Sequence, residues 1–558
     1  MKHWGASYSL ACRPISSREL VAHQQMALNR RGFIAGSAAC VTLGGGIVSC
    51  ARPDTRNILR VVPYADLQAL DPIVTTVGIV QRHAMMVYDF LFARDANGAV
   101  QPQMVETWER SANGLNWTFR LRDGLFFHDG APVAGEDVVA SLRRWGVRDA
   151  YGRQIFAVTR DLSATDARTV VWRLERPYGL MLQAISKTGG PAPAIMPKRF
   201  AETSPTKPIT TAIGSGPFRF VDAEWIPGGI AVYERNAQYV PRDEPASGAA
   251  GGKRVFVDRV EWLNIRDPQS AVLALAAGEV DYVENPTPEF LPMLKSDDIA
   301  IVRNDPLGTQ GLLRMNHLHP PFDNPKARQA LFYLIDQKRY LQAMFGDPNI
   351  TRDCQEFFVC GSALGTETGI PEGLKPDRAK ARSLLAEAGY DGRELVILHP
   401  TDIAFMNLAT LVLADDLRSI GVKVDLQAMD FGAMAARRSN RSAPEAGGWH
   451  LGLSYWPGVD ISDPVSNTPM QASCEKAWAG WPCDPAHQNL IDSFAYAQSD
   501  EARQRIANEV QASAYNLVPY VPIGLWYNPI AYRKSLSGVL SVPGSSVYWN
   551  IKKPVPTL

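Results

Sequence analysis

The sequence predicts a mixed α/β fold shared between two lobes. Its 558 residues exceed what a single hydrophobic core usually holds. Apolar patterns of period 2 and period 3.6 are interspersed along the chain instead of segregating. A strand-helix-strand unit near residue 400 is the third sign, a parallel pair with its crossover. Composition is that of a soluble globular protein, 46% hydrophobic and 20% charged. With 57 basic against 57 acidic side chains, neither a polybasic nucleic-acid binder nor an acidic disordered chain fits. The 44 glycines and 40 prolines point to many turns and few long helices.

The even charge conceals a division. Residues 1–50 hold five basic residues (Lys2, Arg13, Arg18, Arg30, Arg31) and one acidic residue, Glu19, leaving 52 basic and 56 acidic beyond. Arg30-Arg31, Phe33, the Gly/Ala-rich run Ala35 to Val48 and Ser49-Cys50-Ala51 succeed one another. They read as the basic, apolar and small-residue regions of an export signal. The paired arginines with Phe33 resemble the twin-arginine signal, and Met26 just ahead is a second candidate start. The apolar run is too short and too glycine-rich for a membrane span, and no other stretch reaches about 18 apolar residues. Ile47-Val48-Ser49-Cys50 fits a lipobox with lipidation at Cys50; plain cleavage after Ala51 is the alternative. Cysteines lie at 12, 40, 50, 354, 360, 474 and 483. In an oxidising compartment the last four read as local disulfides, Cys354-Cys360 and Cys474-Cys483, each worth about 2 to 3 kcal/mol. Other pairings remain open, but neither pair has the C-x2-C spacing of a zinc site.

Along the mature chain, Trp117 to Arg122 alternates apolar and polar and reads as a half-buried strand. Asp123-Gly124 is the turn of a hairpin returning through Leu125 to His128. A second turn at Asp129-Gly130 leads to an amphipathic helix from Glu136-Asp137 through Arg144. Strands are expected at Arg254 to Ile265 and Leu312 to Asn316. Asn324 is an N-cap with Pro325 at the first helical position, opening a helix to about Met344. Strand Leu395 to Leu398, helix Ile403 to Ile420, Gly421 as its left-handed cap and strand Val422 to Ala428 form the β-α-β unit. Pro241 to Gly252 and Arg438 to Gly448 read as surface loops. There is no internal repeat.

Enzyme signatures are missing: no G-x-S-x-G, no H-E-x-x-H and no phosphate-binding glycine loop. Ser204-Pro205-Thr206-Lys207 and Lys187-Thr188-Gly189 match S-x-x-K and K-T-G of penicillin-recognising hydrolases. Their order is inverted, and Pro205 disfavours the helix that would aim Lys207 at Ser204. His317 and His319 share one strand face without a carboxylate cluster, which is more often a satisfied face than a metal site. No catalytic residue, cofactor or metal is expected.

Leu70-Asp71-Pro72, Phe119-Arg120-Leu121-Arg122-Asp123-Gly124-Leu125-Phe126-Phe127-His128-Asp129-Gly130-Ala131-Pro132-Val133 and Asp137 to Ser141 come in that order. Gly214 to Phe218, Glu234-Arg235-Asn236 with Tyr239, Gly278 to Asp281 and Pro321 to Ala330 follow. Jointly these segments resemble the signature of family 5 extracellular solute-binding proteins, the dipeptide, oligopeptide and nickel receptors of bacterial ABC importers. Taken one by one, Asp-Gly turns, caps and tight glycine packing explain them without a ligand.

The resemblance implies a two-lobed type II periplasmic-binding fold, a Venus flytrap with an extra subdomain inserted in lobe one. Mapped here, 1–50 is the export signal, lobe one is 54–310 plus 521–558 with the insert near 81–210, and lobe two is 311–520. Ligand is expected between the lobes, enclosed by hinge closure. In peptide-binding members an aspartate four residues before a proline takes the peptide's α-ammonium. Trp456-Pro457-Gly458-Val459-Asp460-Ile461-Ser462-Asp463-Pro464 puts Asp460 there, although Trp456 lies four rather than three residues ahead of it. Tyr455 and Trp456 are candidate stacking walls, and the competing reading makes Asp460 or Asp463 a turn cap. The expected protein is a periplasmic, monomeric receptor that delivers a di- or oligopeptide to ABC permease subunits and contacts the membrane only through a lipid anchor. A nickel complex, a sugar or an opine-like solute is the alternative cargo; a secreted hydrolase or a lipid-anchored assembly protein is the alternative class.

Overall fold

Two β-sheets organise the molecule, and the chain passes between them twice. The computed structural model describes residues 57–303 and 305–554. Arg30, Arg31, Phe33 and Cys50 lie outside the described residues. The first sheet has seven strands, in the order Ile299–Arg303, Pro529–Arg533, Tyr282–Glu284, Ile58–Val62, Arg259–Leu263, Ile230–Arg235 and Phe218–Phe220. Ile58–Val62 runs parallel to both of its neighbours. The second sheet has six strands, in the order Thr351–Arg352, Val521–Trp526, Thr309–Met315, Leu451–Pro457, Glu394–Pro400 and Lys423–Met429. The chain leaves the first sheet after Arg303, enters the second at Thr309, leaves it at Trp526 and re-enters the first at Pro529. Each sheet anchors one lobe.

All seven residues of Thr309–Met315 are buried, as befits a strand covered on both faces. Gly311 is required there, because a Cβ would lie 2.6 Å from Ile523 and 2.9 Å from Trp526 on the neighbouring strand. The β-α-β unit forms as read: Glu394–Pro400 and Lys423–Met429 are parallel, Ala404–Ser419 connects them, and Gly421 has φ +87°. Asn324 accepts from the Lys326 N–H at 3.0 Å, as an N-cap should.

The expected hairpin does not form. Asn116–Leu121 belongs to a separate four-stranded sheet, where its partners are Val105–Arg110 and Thr169–Leu174. Gly124, at φ +75°, turns the chain out of that sheet, and the fold-back comes at Asp129-Gly130. There the Phe127 N–H donates to the Ala131 carbonyl at 2.8 Å and Val133 N–H to the Leu125 carbonyl at 3.0 Å. The amphipathic helix after it runs Gly135–Arg148.

The helix expected from Pro325 to about Met344 is two helices, Pro325–Leu334 and Gln337–Phe345, with extended backbone at Ile335 and Asp336. The first packs on Arg378–Glu387, the second on Val521–Trp526 and Ala404–Ser419. One straight axis cannot serve both surfaces. The expected strand 254–265 shortens to Arg259–Leu263. In the expected surface loop 241–252, residues 248–252 are buried, next to a buried ion pair of Lys253 with Asp89 at 2.7 Å.

Cys354 is bonded to Cys360 and Cys474 to Cys483. The 474–483 loop is held from below by Arg314, only 1% exposed. Its guanidinium donates to the carbonyls of Ala479, Pro469, Pro519 and Trp478 at 2.6 to 3.0 Å. Burial lowers the Arg314 pKa to about 9, with nearby Arg438 adding to the effect. Among the described residues, no helix is long and apolar enough to cross a membrane.

Candidate functional site

The strand Leu451–Pro457 ends at a short turn, Gly458–Ile461, that carries Asp460. The turn is docked on the crossing segment: the Gly458 N–H donates to the Gly308 carbonyl at 2.7 Å. A Cβ on Gly458 would lie 2.6 Å from the Leu307 carbonyl oxygen, so only glycine brings the turn that close. Asp460, just past the end of a strand of the second sheet, is thereby aimed at Lys187-Thr188-Gly189. Gly189 abuts the Asp460 carboxylate so closely that a Cβ would overlap it. Around the contact is a small cavity, lined by Arg94, Tyr151, Lys187, Gly189, Asp460 and Asp463 among others, with room for about one water.

The charged groups in this cavity differ in how they are satisfied. Lys187 donates to Asp149 Oδ2 at 2.6 Å and to the Gly190 carbonyl at 3.1 Å. Asp463 accepts from the N–H groups of Val465 and Ser466 at 2.9 Å and from the Tyr151 hydroxyl. It is therefore the turn cap that the sequence offered as a competing reading. Asp460 caps nothing, and among the described residues no hydrogen bond or ion pair holds its carboxylate. Burial pushes its carboxyl up to about 6; Lys187 and Arg94 oppose the rise and Asp149 adds to it. Asp305, on the crossing segment, is likewise pushed up to about 6 by burial, against the N–H groups of Leu307 and Gly544.

Tyr455 and Trp456 do not form one wall with Asp460. Successive residues of a strand point to opposite faces. Trp456, 9% exposed, packs edge-on against Trp478 with centroids 5.8 Å apart. Tyr455 faces the other way, among Phe405, Phe431 and Trp526 at 5.2 to 6.4 Å. Neither lines the Asp460 cavity.

Tyr455 instead lies near a second polar cluster, from the first lobe, that sequence reading missed. Arg82 pairs with fully buried Glu284 and stacks 4.2 Å from the Tyr64 ring centroid. Glu284 also accepts from the Tyr548 hydroxyl at 2.6 Å and the Tyr64 N–H at 3.1 Å. Lys187 had a signal in the K-T-G triplet, where the chemistry inferred was of another kind. Arg94, Asp149 and Tyr151 had none. His317 and His319 follow the strand instead of sharing its face: the His317 N–H donates to the Gly480 carbonyl at 2.8 Å, and His319 Nε2 lies 3.1 Å from the Arg441 carbonyl oxygen. Among the described residues no cluster of His, Cys, Asp and Glu is arranged to hold a metal ion.

Residues 99–478 match the family of bacterial extracellular solute-binding proteins, family 5. A probable peptide ABC transporter periplasmic-binding protein of Sinorhizobium fredii is 38% identical over 95% of this chain and 100% of its own length. A glutathione-binding protein of Pectobacterium atrosepticum is 26% identical over 85% of this chain and 90% of its own. The fold matches that of the periplasmic binding protein DppA from Helicobacter pylori in complex with the peptide STSA. There the TM-score is 0.74 at 20% identity, covering 89% of this chain and 99% of that one. The two sheets linked by paired crossings, the intervening four-stranded sheet and these likenesses agree: the chain belongs to the family 5 extracellular solute-binding proteins, the solute receptors of ABC importers.

Proposed function

We propose that this receptor captures a peptide by its α-ammonium at Asp460 and hands it to an ABC permease from the periplasm. The observation that carries the reading is the half-buried Asp460 carboxylate, set against Gly189 and without a partner among the described residues. An unpaired carboxylate that has lost part of its water is costly, and a ligand ammonium restores a charge-assisted hydrogen bond. The relative from Sinorhizobium fredii, described as a probable peptide transporter component, supports the same cargo. Calorimetric titration of the mature protein with trialanine tests it. Asp460→Asn should weaken binding by about 2 to 5 kcal/mol, and N-acetylation of the peptide should do as much. Affinity within threefold in either comparison rules the assignment out.

Arg30, Arg31 and Phe33 are proposed as a twin-arginine export signal and Cys50 as a lipid anchor, with lobe one at 54–310 plus 521–558, its insert near 81–210, and lobe two at 311–520. Lysine at both Arg30 and Arg31 should leave the precursor in the cytoplasm on fractionation; normal export would point to the general secretory route.

A further inference from the structure

The outgoing crossing between the sheets meets three other segments around one side chain. Asp305, half-buried, accepts from the N–H groups of Leu307 at 3.0 Å and Gly544 at 2.9 Å. The Leu307 bond is local and shapes the turn that leads to Gly308. The Gly544 bond reaches a distant turn, closed by the Ser545 N–H on the Val542 carbonyl at 3.1 Å. Gly544 is at φ +70°, and a Cβ there would lie 2.8 Å from Val459 and 3.4 Å from Pro457. The 542–545 turn is thus wedged between Asp305 and the Gly458–Ile461 turn, which is itself docked on Gly308. The returning crossing is fastened alongside, where Asn528 donates to Thr309 Oγ1 and accepts from Trp526 Nε1, both at 3.1 Å.

The charges around Asp305 are one-sided. Residues 306–308 and 542–546 carry none. The returning crossing offers only Tyr527, whose ring takes the Arg303 guanidinium at 4.9 Å. From the Gly458–Ile461 turn comes Asp460, a second carboxylate, and the two repel. Lys187, Arg94 and Asp149 act on Asp460 in turn. Among the described residues no cation pairs with Asp305.

We propose that Asp305 is a proton-operated clasp on the hinge: protonated, it holds the crossing, the 542–545 turn and the Asp460 turn together, and ionised, it lets them part and the space between the sheets open. Two carboxylates brought together out of water cannot both ionise without cost, and parting them returns each to solvent. A few residues at a crossing suffice to absorb such a motion. Burial raises the Asp305 carboxyl to about 6, against its N–H donors, whereas a solvated carboxyl ionises near 4. The packed arrangement therefore binds the proton more tightly than the parted one. Its stabilisation is fully present below the ordinary carboxylate range and is lost as pH rises through about 6. The device acts on the empty receptor and does not depend on which solute it carries.

Amide exchange and small-angle scattering of the full mature protein, dialysed free of ligand, test this at pH 5 and pH 8. After correction for intrinsic rates, protection of the amides at 544–546 should fall about tenfold between the two, and the radius of gyration should rise. Asp305→Asn is neutral at both values and keeps an acceptor for the Gly544 N–H. It should be as compact at pH 8 as wild type is at pH 5, with protection changing less than about threefold. Equal protection of the wild type at both pH values, or a variant that loosens at pH 8 as wild type does, overturns the proposal. So does a loss of protection spread over the whole chain, which reports global unfolding. If Asp305→Asn fails to fold, the wild-type exchange decides alone, because it reads the very N–H that Asp305 holds.

Discussion

Asp460 is a single residue with two opposed consequences. Its carboxyl is raised by burial to about 6, above the ordinary carboxylate value, so the folded protein favours the protonated form. Stability from this group is present at low pH and is lost as pH rises through about 6. Binding of an ammonium has the opposite slope, because it needs the ionised form. Affinity for a free-amino peptide should therefore climb between pH 5 and pH 7 and level off above, with proton release near pH 6. Titrations in buffers of different ionisation enthalpy measure that release; a flat affinity across this range would disconnect Asp460 from the ligand. Asp460→Asn should raise the unfolding midpoint at pH 8 and leave it unchanged at pH 4, a stability cost that wild type accepts for binding.

Between elements, on the lobe bounds proposed above, the lobes touch at a place apart from the Asp460 cavity. The Gly179 N–H donates to the Ala495 carbonyl at 2.8 Å, and Arg503 Nη2 to the Gly179 carbonyl at 3.3 Å. Arg176 lies 3.7 Å from the Tyr496 ring centroid, and Gln154 donates to Asp492 at 3.0 Å. A Cβ on Gly179 would overlap the Ala497 carbonyl oxygen, so this contact tolerates only glycine. Gly179→Val should hold the lobes apart while each keeps its own core. Small-angle scattering of the unliganded variant should give a larger radius of gyration than wild type; equal radii would mean the contact has no part in closure. None of these pairings was legible in the sequence, because they join segments hundreds of residues apart. Local signals fared better: the Asn324 cap, the Gly421 terminus and the β-α-β unit are all where turn and cap chemistry put them. The hairpin after Trp117 failed because Asp-Gly specifies a turn without specifying which strand pairs beyond it, and Thr169–Leu174 took that edge. At the site the same split holds. The spacing of Asp460 before Pro464 was readable, whereas its neighbours Arg94, Asp149, Tyr151 and Lys187 meet it only through the closing of two lobes.

At the scale of the whole molecule, the crossings place the entire second sheet inside the sequence of the first lobe. Thr309 and Trp526, its first and last central-strand residues, are direct partners across the ladder. Pro529–Arg533, one of the last strands in the chain, is inserted between Ile299–Arg303 and Tyr282–Glu284. Until it arrives, Ile299–Arg303 has no neighbour in its sheet. On the ribosome, then, the lobe that begins second is finished first. The lobe that begins at Ile58 waits for the segment from Pro529 onward to seal its open seam, so a chain truncated just before residue 529 would carry one completed half and one unclosed half.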